Sequence, residues 1–183
     1  MLVPTRLEAD GLGLHDRAVE LCGFGLAEAG ARAMHAMAAH RPARVVLAGI
    51  AGTYDAVAAP IGSAVIPSRV RCVGVGAGGR SAAELGFAAT DELALDGRDG
   101  LALSVASASG TPEEAAERAA EAPGACIEEM EGYAVAFAAT LVGASCTMVR
   151  GVANHAGHRD RADWRIAPAL KAVRAVLASM LAE

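Results

Sequence analysis

Short apolar runs alternate with alanine-rich segments along this chain, and this alternation restricts the fold more than any other feature. The runs Arg44–Ala48, Leu101–Ser107 and Ser145–Val152 have the length and composition of buried strands. Between these runs, Leu26–Ala39 and Met130–Leu141 have the length and composition of helices. Alternating strands and helices pack as a sheet covered on both faces. We therefore predict an α/β fold, a three-layer αβα sandwich with a central, mostly parallel or mixed sheet.

Further elements continue the alternation over the whole sequence. The chain has 183 residues, which is long enough for a substantial core, and it contains no repeat and no long linker. We expect residues 1–183 to form a single domain. The other predicted strands are Leu2–Pro4, Ala18–Cys22, Gly62–Val75 (one long or two broken strands) and Ala125–Glu128. The other predicted helices are Pro112–Ala120 and Asp163 or Trp164 to Leu181. The second of these helices has Ile166, Leu170, Val173 and Leu177 on one apolar face.

Composition argues against several classes of protein. The net charge of −5 and the sequence pI of about 5.5 leave no basic surface for nucleic acid or for a membrane. No apolar signal segment follows Met1. The uncharged stretch Tyr133–Val149 is short for a membrane span, and a helix, a turn at Gly143 and a strand explain it better. Four cysteines without metal-site spacing indicate a reduced, cytoplasmic protein.

Two polar strand ends point to the chemistry of the chain. Ile127–Gly132 places glutamates and Met130 where an apolar strand becomes a helix. Val149–Asn154 is a strand that runs out into a polar loop. Carboxylates, a thioether and an amide at strand ends suit a pocket that holds a ribose and releases its base. The pattern indicates cleavage of an N-glycosidic bond.

Two glycine motifs and one histidine motif offer alternative sites. Gly74–Gly79 fits G-x-G-x-x-G, but a poor helix follows it, so a loop explains it better than a dinucleotide site. Gly23–Gly25 follows a strand and opens a helix, which suits a ligand pocket lined by backbone. His155, His158 and Asp160 lack a fourth ligand at a suitable spacing. We expect a polar loop there and no metal.

Six segments occur in an order that resembles the nucleoside phosphorylase/nucleosidase superfamily. They are residues 3–9, 22–25, 47–52, 105–111, 129–132 and 149–164. Within this superfamily the chain is most similar to the futalosine hydrolases, nucleosidases of menaquinone biosynthesis that release hypoxanthine. The resemblance implies a nucleoside phosphorylase-like fold, an N-glycosidase that needs no cofactor, a purine nucleoside as small-molecule partner, and a homodimer or homotetramer.

The resemblance also implies roles at the ribose. Glu131 matches a glutamate that accepts hydrogen bonds from the 2′- and 3′-hydroxyls, and its charge favours an oxocarbenium-like transition state. Met130 matches a methionine that packs on the ribose. Glu8 matches the carboxylate that orients and deprotonates the attacking water. Glu129 lies near that water.

Other matched positions are expected to meet the base and the distal end of the substrate. The segment 107–111, with Ser107 and Ser109, matches the base-binding strand, and Gly23 and Phe24 belong to the pocket loop. Asn154 faces purine N7, where its NH₂ group can donate to N7 and O6 of a 6-oxopurine. Arg159 offers a guanidinium to a substrate carboxylate, with pairing to Asp160 or Asp163 as the alternative.

Each of these residues also has a simpler explanation when it is taken alone. Three neighbouring glutamates can stabilise the positive end of the following helix, which is our explanation for Glu128. Met130 can be a core residue, Glu8 a helix cap and Asn154 a turn residue. The catalytic interpretation depends on the joint order of the segments.

Hydrolysis is expected rather than phosphorolysis, because no arginine stands at the expected phosphate loops beside Gly23 and Gly49. The segment between Glu8 and Gly23 is shorter than the family pattern, and Ala153 replaces a common serine. Two alternatives therefore stay open. One is a purine nucleosidase or phosphorylase with a different 5′-substituent, and the other is a non-catalytic nucleoside-binding paralogue.

Overall fold

Eleven strands and five α-helices make up the described part of this computed structural model, which comprises residues 1–14, 19–88, 90–180 and 182. The strands are β1 (Leu2–Val3), β2 (Glu20–Leu21), β3 (Arg44–Thr53), β4 (Ala64–Val65), β5 (Pro67–Val73), β6 (Gly76–Ala77), β7 (Arg80–Ser81), β8 (Glu92–Ala94), β9 (Asp99–Val105), β10 (Ala125–Glu129) and β11 (Ser145–His155). The helices are α1 (Arg6–Leu12), α2 (Gly25–His40), α3 (Pro112–Glu121), α4 (Gly132–Val142) and α5 (Ile166–Met180), with a 3₁₀ turn at Arg161–Asp163.

Nine of the described strands form one mixed sheet, in the order β2-β1-β3-β10-β9-β5-β8, with β11 on β3 and β4 on β11. The pairs β1–β3, β11–β3, β10–β9 and β5–β9 are parallel, whereas β10–β3, β5–β8 and β11–β4 are antiparallel. Strand β11 follows β3 from Ser145 opposite Arg44 to His155 opposite Thr53. The mixed sheet agrees with the prediction.

Side chains of the two central strands alternate between two separate cores. Val45 and Leu47 of β3 and Met148 of β11 pack with residues of α2 and α4. Ala48 and Val149, which point to the opposite face, pack with residues of α1 and α5. A sheet with helices on both faces is the predicted three-layer α/β architecture, which is confirmed. The second core includes Leu12, Leu170, Val173 and Leu177, with Ile166 packed against it.

The uncharged stretch is divided as predicted. Helix α4 ends at Gly143, whose φ of 72° gives the left-handed C-cap conformation that glycine adopts without strain. Strand β11 begins two residues later and is almost wholly buried. None of the described helices combines the length and the apolar composition needed to cross a bilayer.

Several elements differ from the predicted ones. Helix α1 was not expected, and β3 continues through Gly49–Gly52 to Thr53 because those residues stay paired with β11. Strand β2 is shorter than predicted, and Ala18 and Leu181, the predicted ends of two elements, lie outside the described residues.

The glycine-rich segment after β5 forms a short hairpin and opens no helix. Strands β6 and β7 pair around Gly78 and Gly79, which have φ values of 61° and 76°. Two consecutive residues at positive φ are typical of the tight turns that join hairpin strands. A dinucleotide motif would require a helix directly after the glycines, so the loop interpretation agrees with the structure.

Candidate active site

A cavity of about 270 Å³ is lined by the ends of β3, β10 and β11 and by residues of α1. Most of the predicted site residues line this cavity. Those that line it are Glu8, Phe24, Glu129, Met130, Glu131, Asn154 and Arg159, whereas Gly23, Ser107 and Ser109 do not.

Glu131 lies at the N-cap of α4 with its side chain almost fully buried. Its Oε1 accepts a hydrogen bond from the backbone N–H of Gly25 at 2.9 Å, and its Oε2 lies 3.0 Å from Nη2 of Arg150. Burial raises the pKa of Glu131, the charge of Arg150 lowers it, and the charge of Glu129 raises it again, with a net shift upward. The predicted pocket loop at residues 22–25 thus contributes Gly25, whose N–H holds this carboxylate.

Arg150 is the one charged side chain of β11, and it is fully buried. Its Nη2 forms ion pairs with Glu129 and Glu131. Burial lowers the pKa of Arg150, but the charges of Glu129, Glu131 and Glu8 outweigh this effect, so the pKa is raised and the guanidinium stays charged. Its Nε and Nη1 have no hydrogen-bond partner among the described residues. The N–H groups of these two nitrogens are free donors in a buried site, where unsatisfied donors are rare.

Gly49 makes room for this arginine. A Cβ atom at residue 49 would overlap Nη1 of Arg150 and would lie 2.7 Å from Oε1 of Glu8. The unpaired arginine donor and the Glu8 carboxylate are therefore close neighbours, although they form no ion pair. A small polar molecule between them can accept from the arginine and donate to the carboxylate.

Glu8 has two roles in the structure. It completes a capping box with Thr5, whose N–H and hydroxyl donate to Oε2 of Glu8 at 3.1 and 2.5 Å. Its Oε1 accepts from the N–H of Ile50 at 2.9 Å. The helix-cap contacts of the simpler explanation are present, and the same contacts hold the carboxylate in the cavity wall.

Glu129 is bound to the start of α4. It accepts hydrogen bonds from the backbone N–H groups of Glu131 and Gly132 at 3.0 and 2.7 Å. It also accepts from Ser104 and Arg150. Glu129 therefore stabilises the positive end of α4, which is the simpler explanation given for these glutamates.

Asn154 uses its NH₂ group within its own loop. Nδ2 donates to the carbonyl oxygens of His155 at 2.7 Å and His158 at 3.3 Å. Rotation of the amide by 180° would direct Oδ1 at two other oxygens, so these contacts fix its orientation. Oδ1 accepts no hydrogen bond from the described residues. The NH₂ group that we expected to face the base is engaged, and the free atom is an acceptor.

Ser109 is buried behind the cavity wall and binds Glu128. Its N–H donates to Oε1 of Glu128 at 3.0 Å and its hydroxyl to Oε2 at 2.7 Å. Glu128 itself lines the cavity beside Ala108. We assigned its charge to the start of α4, but its hydrogen bonds go to Ser109, Tyr54 and Arg118. That assignment is wrong for Glu128.

Two arginines and an indole form one end of the cavity. The guanidinium carbons of Arg159 and Arg161 lie 5.2 and 5.8 Å from the ring centroid of Trp164, within the range of cation–π contacts. All three side chains line the cavity. No ion pair within 4 Å joins Arg159 to Asp160 or Asp163 in the described part of the chain.

Two other predicted site residues lie in other segments of the chain. Phe24 is 62% exposed at the N-cap of α2. The carbonyl oxygen of Ser107 accepts a hydrogen bond from Arg118.

The histidine motif does not form a metal site. His155 and His158 face each other with ring centroids 5.6 Å apart. Among the residues that the structure describes, no three His, Cys, Asp or Glu side chains are grouped to hold a metal ion.

Comparison with known proteins decides the family. A profile of the phosphorylase superfamily matches residues 12–182. The chain belongs to this superfamily. The futalosine hydrolase of Thermus thermophilus is 34% identical over 220 positions, which cover the whole chain and 95% of that relative. The futalosine hydrolase of Streptomyces coelicolor is 37% identical over 144 residues, which cover 70% of the chain but only 61% of that relative.

Solved structures of superfamily members share the fold. The futalosine hydrolase of Helicobacter pylori matches with a TM-score of 0.83 at 15% identity, covering 98% of this chain and 95% of that one. The 5′-methylthioadenosine/S-adenosylhomocysteine nucleosidase of Neisseria meningitidis, solved with methylthio-immucillin-A, matches with a TM-score of 0.84 at 16% identity, covering 98% and 96%. The nucleoside phosphorylase-like fold is therefore confirmed.

Sequence reasoning missed Arg150, which lies behind the cavity wall and holds two of its glutamates, Glu129 and Glu131. A signal was present, because a lone arginine in an otherwise apolar, buried strand must find carboxylate partners. In the sequence, no lysine or arginine stands near the glutamates before α4 to balance their charge. Pairing these two observations would have predicted the contact.

Proposed function

We propose that this chain is an N-glycosidase that hydrolyses futalosine to hypoxanthine and dehypoxanthine futalosine, a step of menaquinone biosynthesis. The observation that carries the proposal is the buried cluster of Glu8, Arg150 and Glu131, whose two carboxylates line a cavity together with Met130. Relatives named futalosine hydrolase, one of them aligned over the whole chain, support the choice of substrate.

Glu131 is proposed to bind the ribose. The N–H of Gly25 and the guanidinium of Arg150 fix both of its oxygens, and each oxygen keeps a lone pair for a sugar hydroxyl. Its negative charge stabilises the positive charge that develops on the sugar as the base departs. Met130 supplies an apolar contact beside it.

Glu8 is proposed to activate water, together with Arg150. A water between them would accept a hydrogen bond from Nη1 of Arg150, which has no partner among the described residues, and donate one to Glu8. Glu8 then takes the proton as the oxygen attacks the sugar carbon, and the electron pair of the glycosidic bond leaves with the base, which takes up a proton from solvent. The guanidinium orients the water and does not take its proton.

The charges around Arg150, where the water is proposed to lie, favour water over phosphate as the nucleophile. Three carboxylates, those of Glu8, Glu129 and Glu131, surround the single guanidinium of Arg150, so the local formal charge is negative. A phosphate dianion would be repelled there. This supports hydrolysis, as the missing loop arginines did.

The test is a panel of nucleosides with and without phosphate. The purified protein is incubated with futalosine, inosine, methylthioadenosine and S-adenosylhomocysteine, and free base and sugar products are measured by chromatography. We expect hypoxanthine from futalosine, no stimulation by phosphate and no sugar 1-phosphate. A sugar 1-phosphate would show a phosphorylase, and failure to release any base would favour a nucleoside-binding protein.

One observation favours a second candidate, an adenine nucleosidase. The free Oδ1 of Asn154 is an acceptor and suits the 6-amino group of adenine better than the 6-oxo group of hypoxanthine. The same panel separates these candidates, because adenine would then be the main free base.

Arg159 is proposed to bind the aromatic carboxylate of futalosine, with Trp164 beside it. Arg159→Ala should reduce kcat/KM for futalosine at least tenfold and leave inosine, which lacks the carboxylate, almost unchanged. Arg44→Ala is the control, because Arg44 is exposed at the start of β3 and does not line the cavity, and it should leave both substrates unchanged. Equal losses for both substrates in Arg159→Ala would remove Arg159 from carboxylate binding.

We further propose a cytoplasmic homodimer or homotetramer. All four cysteines are free, which suits a reducing compartment. An apolar groove between α2 and α4, lined by Met34, Tyr133, Phe137 and Leu141 among others, suits contact with a second copy.

A further inference from the structure

Glu128 is a buried carboxylate of the cavity wall that neither ribose binding nor water activation uses. It is 4% exposed and lines the cavity beside Ala108. Its donors come from three different parts of the chain. They are the Ser109 N–H at 3.0 Å, the Ser109 hydroxyl at 2.7 Å, the Tyr54 hydroxyl at 2.9 Å and Nη1 of Arg118 at 3.5 Å.

These donors are distributed unequally between the two carboxylate oxygens. Oε2 receives the Ser109 and Tyr54 hydroxyls and the Arg118 guanidinium, whereas Oε1 receives only the Ser109 N–H. The two hydroxyls already fill both acceptor positions of Oε2, and Arg118 adds only a long contact at 3.5 Å, whereas Oε1 accepts one hydrogen bond and keeps one acceptor position. The contacts also orient the side chain firmly, which a specific ligand contact requires.

The strand register places Glu128 and Asn154 on either side of the same residue of β3. Glu128 of β10 and Asn154 of β11 are both paired with Gly52 of β3, one from each side. Neighbouring strands are about 4.8 Å apart, so the two backbones are separated by about 10 Å. Strand β3 lies between them, and Gly52, Glu128 and Asn154 all line the cavity. A flat heterocycle that lies in the cavity beside Gly52 can therefore meet Glu128 at one edge and Asn154 at the other.

Residues 107–111 were expected to contact the base with their backbone, but the structure places the Glu128 carboxylate at the cavity beside this segment. The N–H of Ser109 is bound to Glu128 and is therefore not free for a ligand. A carboxylate accepts and never donates when ionised. A 6-oxopurine presents an N1–H donor at its six-membered ring, whereas adenine has a lone pair at N1, which a carboxylate repels.

We propose that Glu128 is a specificity-determining residue that selects 6-oxopurine nucleosides by accepting the N1–H of the base. The inference rests on the proposed nucleosidase function and names its base selector. It also supplies the 6-oxopurine preference that the NH₂ group of Asn154, held by two carbonyls, does not provide.

The experiment compares Glu128→Gln with the parent on futalosine and its 6-amino analogue, which differ only at the purine six-membered ring. The amide keeps the size and can donate to N1 of adenine. We expect the ratio of kcat/KM for the oxo over the amino substrate to fall between tenfold and a hundredfold. Inhibition by free hypoxanthine should weaken to a similar extent relative to inhibition by adenine.

Glu114→Gln is the matched control. Glu114 also binds Arg118, at 2.5 Å, but it lies on exposed α3 and does not line the cavity. Its substrate ratio should equal that of the parent. Circular dichroism and thermal unfolding verify that Glu128→Gln is folded.

The outcomes separate the two proposals. An unchanged substrate ratio in folded Glu128→Gln, with the parent active, overturns the role of Glu128 and leaves the nucleosidase intact. A parent that releases no base overturns the proposed function. In that case calorimetric binding of hypoxanthine and adenine still tests Glu128, and equal changes in both affinities contradict the proposal.

Discussion

Burial disfavours the negative charge of Glu131, and this same charge is proposed to stabilise the transition state. Glu131→Gln keeps the size and the Gly25 contact but removes the anion that faces the developing oxocarbenium ion. We expect kcat to fall on the order of a hundredfold or more, with the fold intact. Glu117→Gln, at an exposed position of α3, serves as the control and should retain full activity. Near-normal turnover of Glu131→Gln would remove it from the mechanism.

The pH profile follows from the same residue. Burial, aided by the charge of Glu129 and opposed by that of Arg150, raises the pKa of Glu131 above its ordinary 4.5. Activity that needs the ionised form should therefore be lost at a pH above 4.5 as the medium is acidified. The folded protein holds this proton more tightly than the unfolded chain. The stability that the proton provides is complete below pH 4.5 and is lost as pH rises through the raised pKa. Glu131→Gln should thus gain stability relative to the parent over that window, measured by urea unfolding.

Arg150 illustrates how a buried cation is kept in place by its partners. Arg150→Gln leaves Glu129 and Glu131 buried without a positive charge, so the free energy of unfolding at pH 7 should fall by about 3–5 kcal/mol. The loss should be smaller near pH 5, because Glu131 with its raised pKa then accepts a proton more readily. Arg150→Lys, which retains the charge, should lose less. An equal loss at both pH values would contradict this account.

At the scale of elements, the crossing of β11 and α5 depends on a glycine. A Cβ on Gly151 would lie 2.5 Å from the carbonyl oxygen of Ala169, a backbone atom of α5. Gly151→Ala should therefore destabilise the protein by about 1–3 kcal/mol, because the helix must move off the sheet. The control is Gly30→Ala in α2, where the new Cβ would meet Ala134 Cβ at 3.4 Å. That change should be neutral or stabilising by up to about 1 kcal/mol in urea unfolding.

The elements that sequence analysis predicted well are those whose own side chains determine them. Strands β3 and β11 and helices α2, α4 and α5 are long and carry a clear apolar pattern. Helix α1 has seven residues and is defined by one capping box, and β8 exists only because it pairs with β5. Such elements depend on tertiary contacts, which a single sequence does not reveal.

The sequence predicted only part of the candidate site. Seven of the predicted residues lie in short motifs that are recognisable in the sequence, and they meet at one cavity. Arg150, and the pairing of Glu128 with Ser109, depend on which strands are neighbours. The orientation of the Asn154 amide depends on two loop carbonyls and is likewise invisible in the sequence.

For the whole molecule, strand β3 joins the two ends of the chain. It pairs with β1 near the N-terminus and with β11, against which α5 packs. We expect residues 1–183 to unfold as one domain in a single transition. Urea unfolding followed by Trp164 fluorescence and by far-ultraviolet circular dichroism should give coincident curves. Two separated transitions would show that the chain contains independent units.

The exposed apolar residues of α4 indicate how the molecule associates. Phe137 is 47% exposed and stacks on Tyr133, and Leu141 is 63% exposed beside it, so together they form one patch with the groove against α2. Phe137→Glu places a charge in this patch, and desolvating that charge in an interface is unfavourable. We expect the parent to be a dimer or tetramer by light scattering and Phe137→Glu to be a monomer.

The control for this prediction is Val57→Glu, which introduces the same charge at an exposed apolar residue outside the groove and outside the cavity. Its molecular mass should equal that of the parent. Because Phe24 lines the cavity and Leu26, two residues further along the chain, lines the groove, dissociation should also alter the mouth of the cavity. Phe137→Glu should therefore raise KM for futalosine, and Val57→Glu should not. A parent that is monomeric at all concentrations would contradict both expectations, since the patch would then be open to solvent in the active protein.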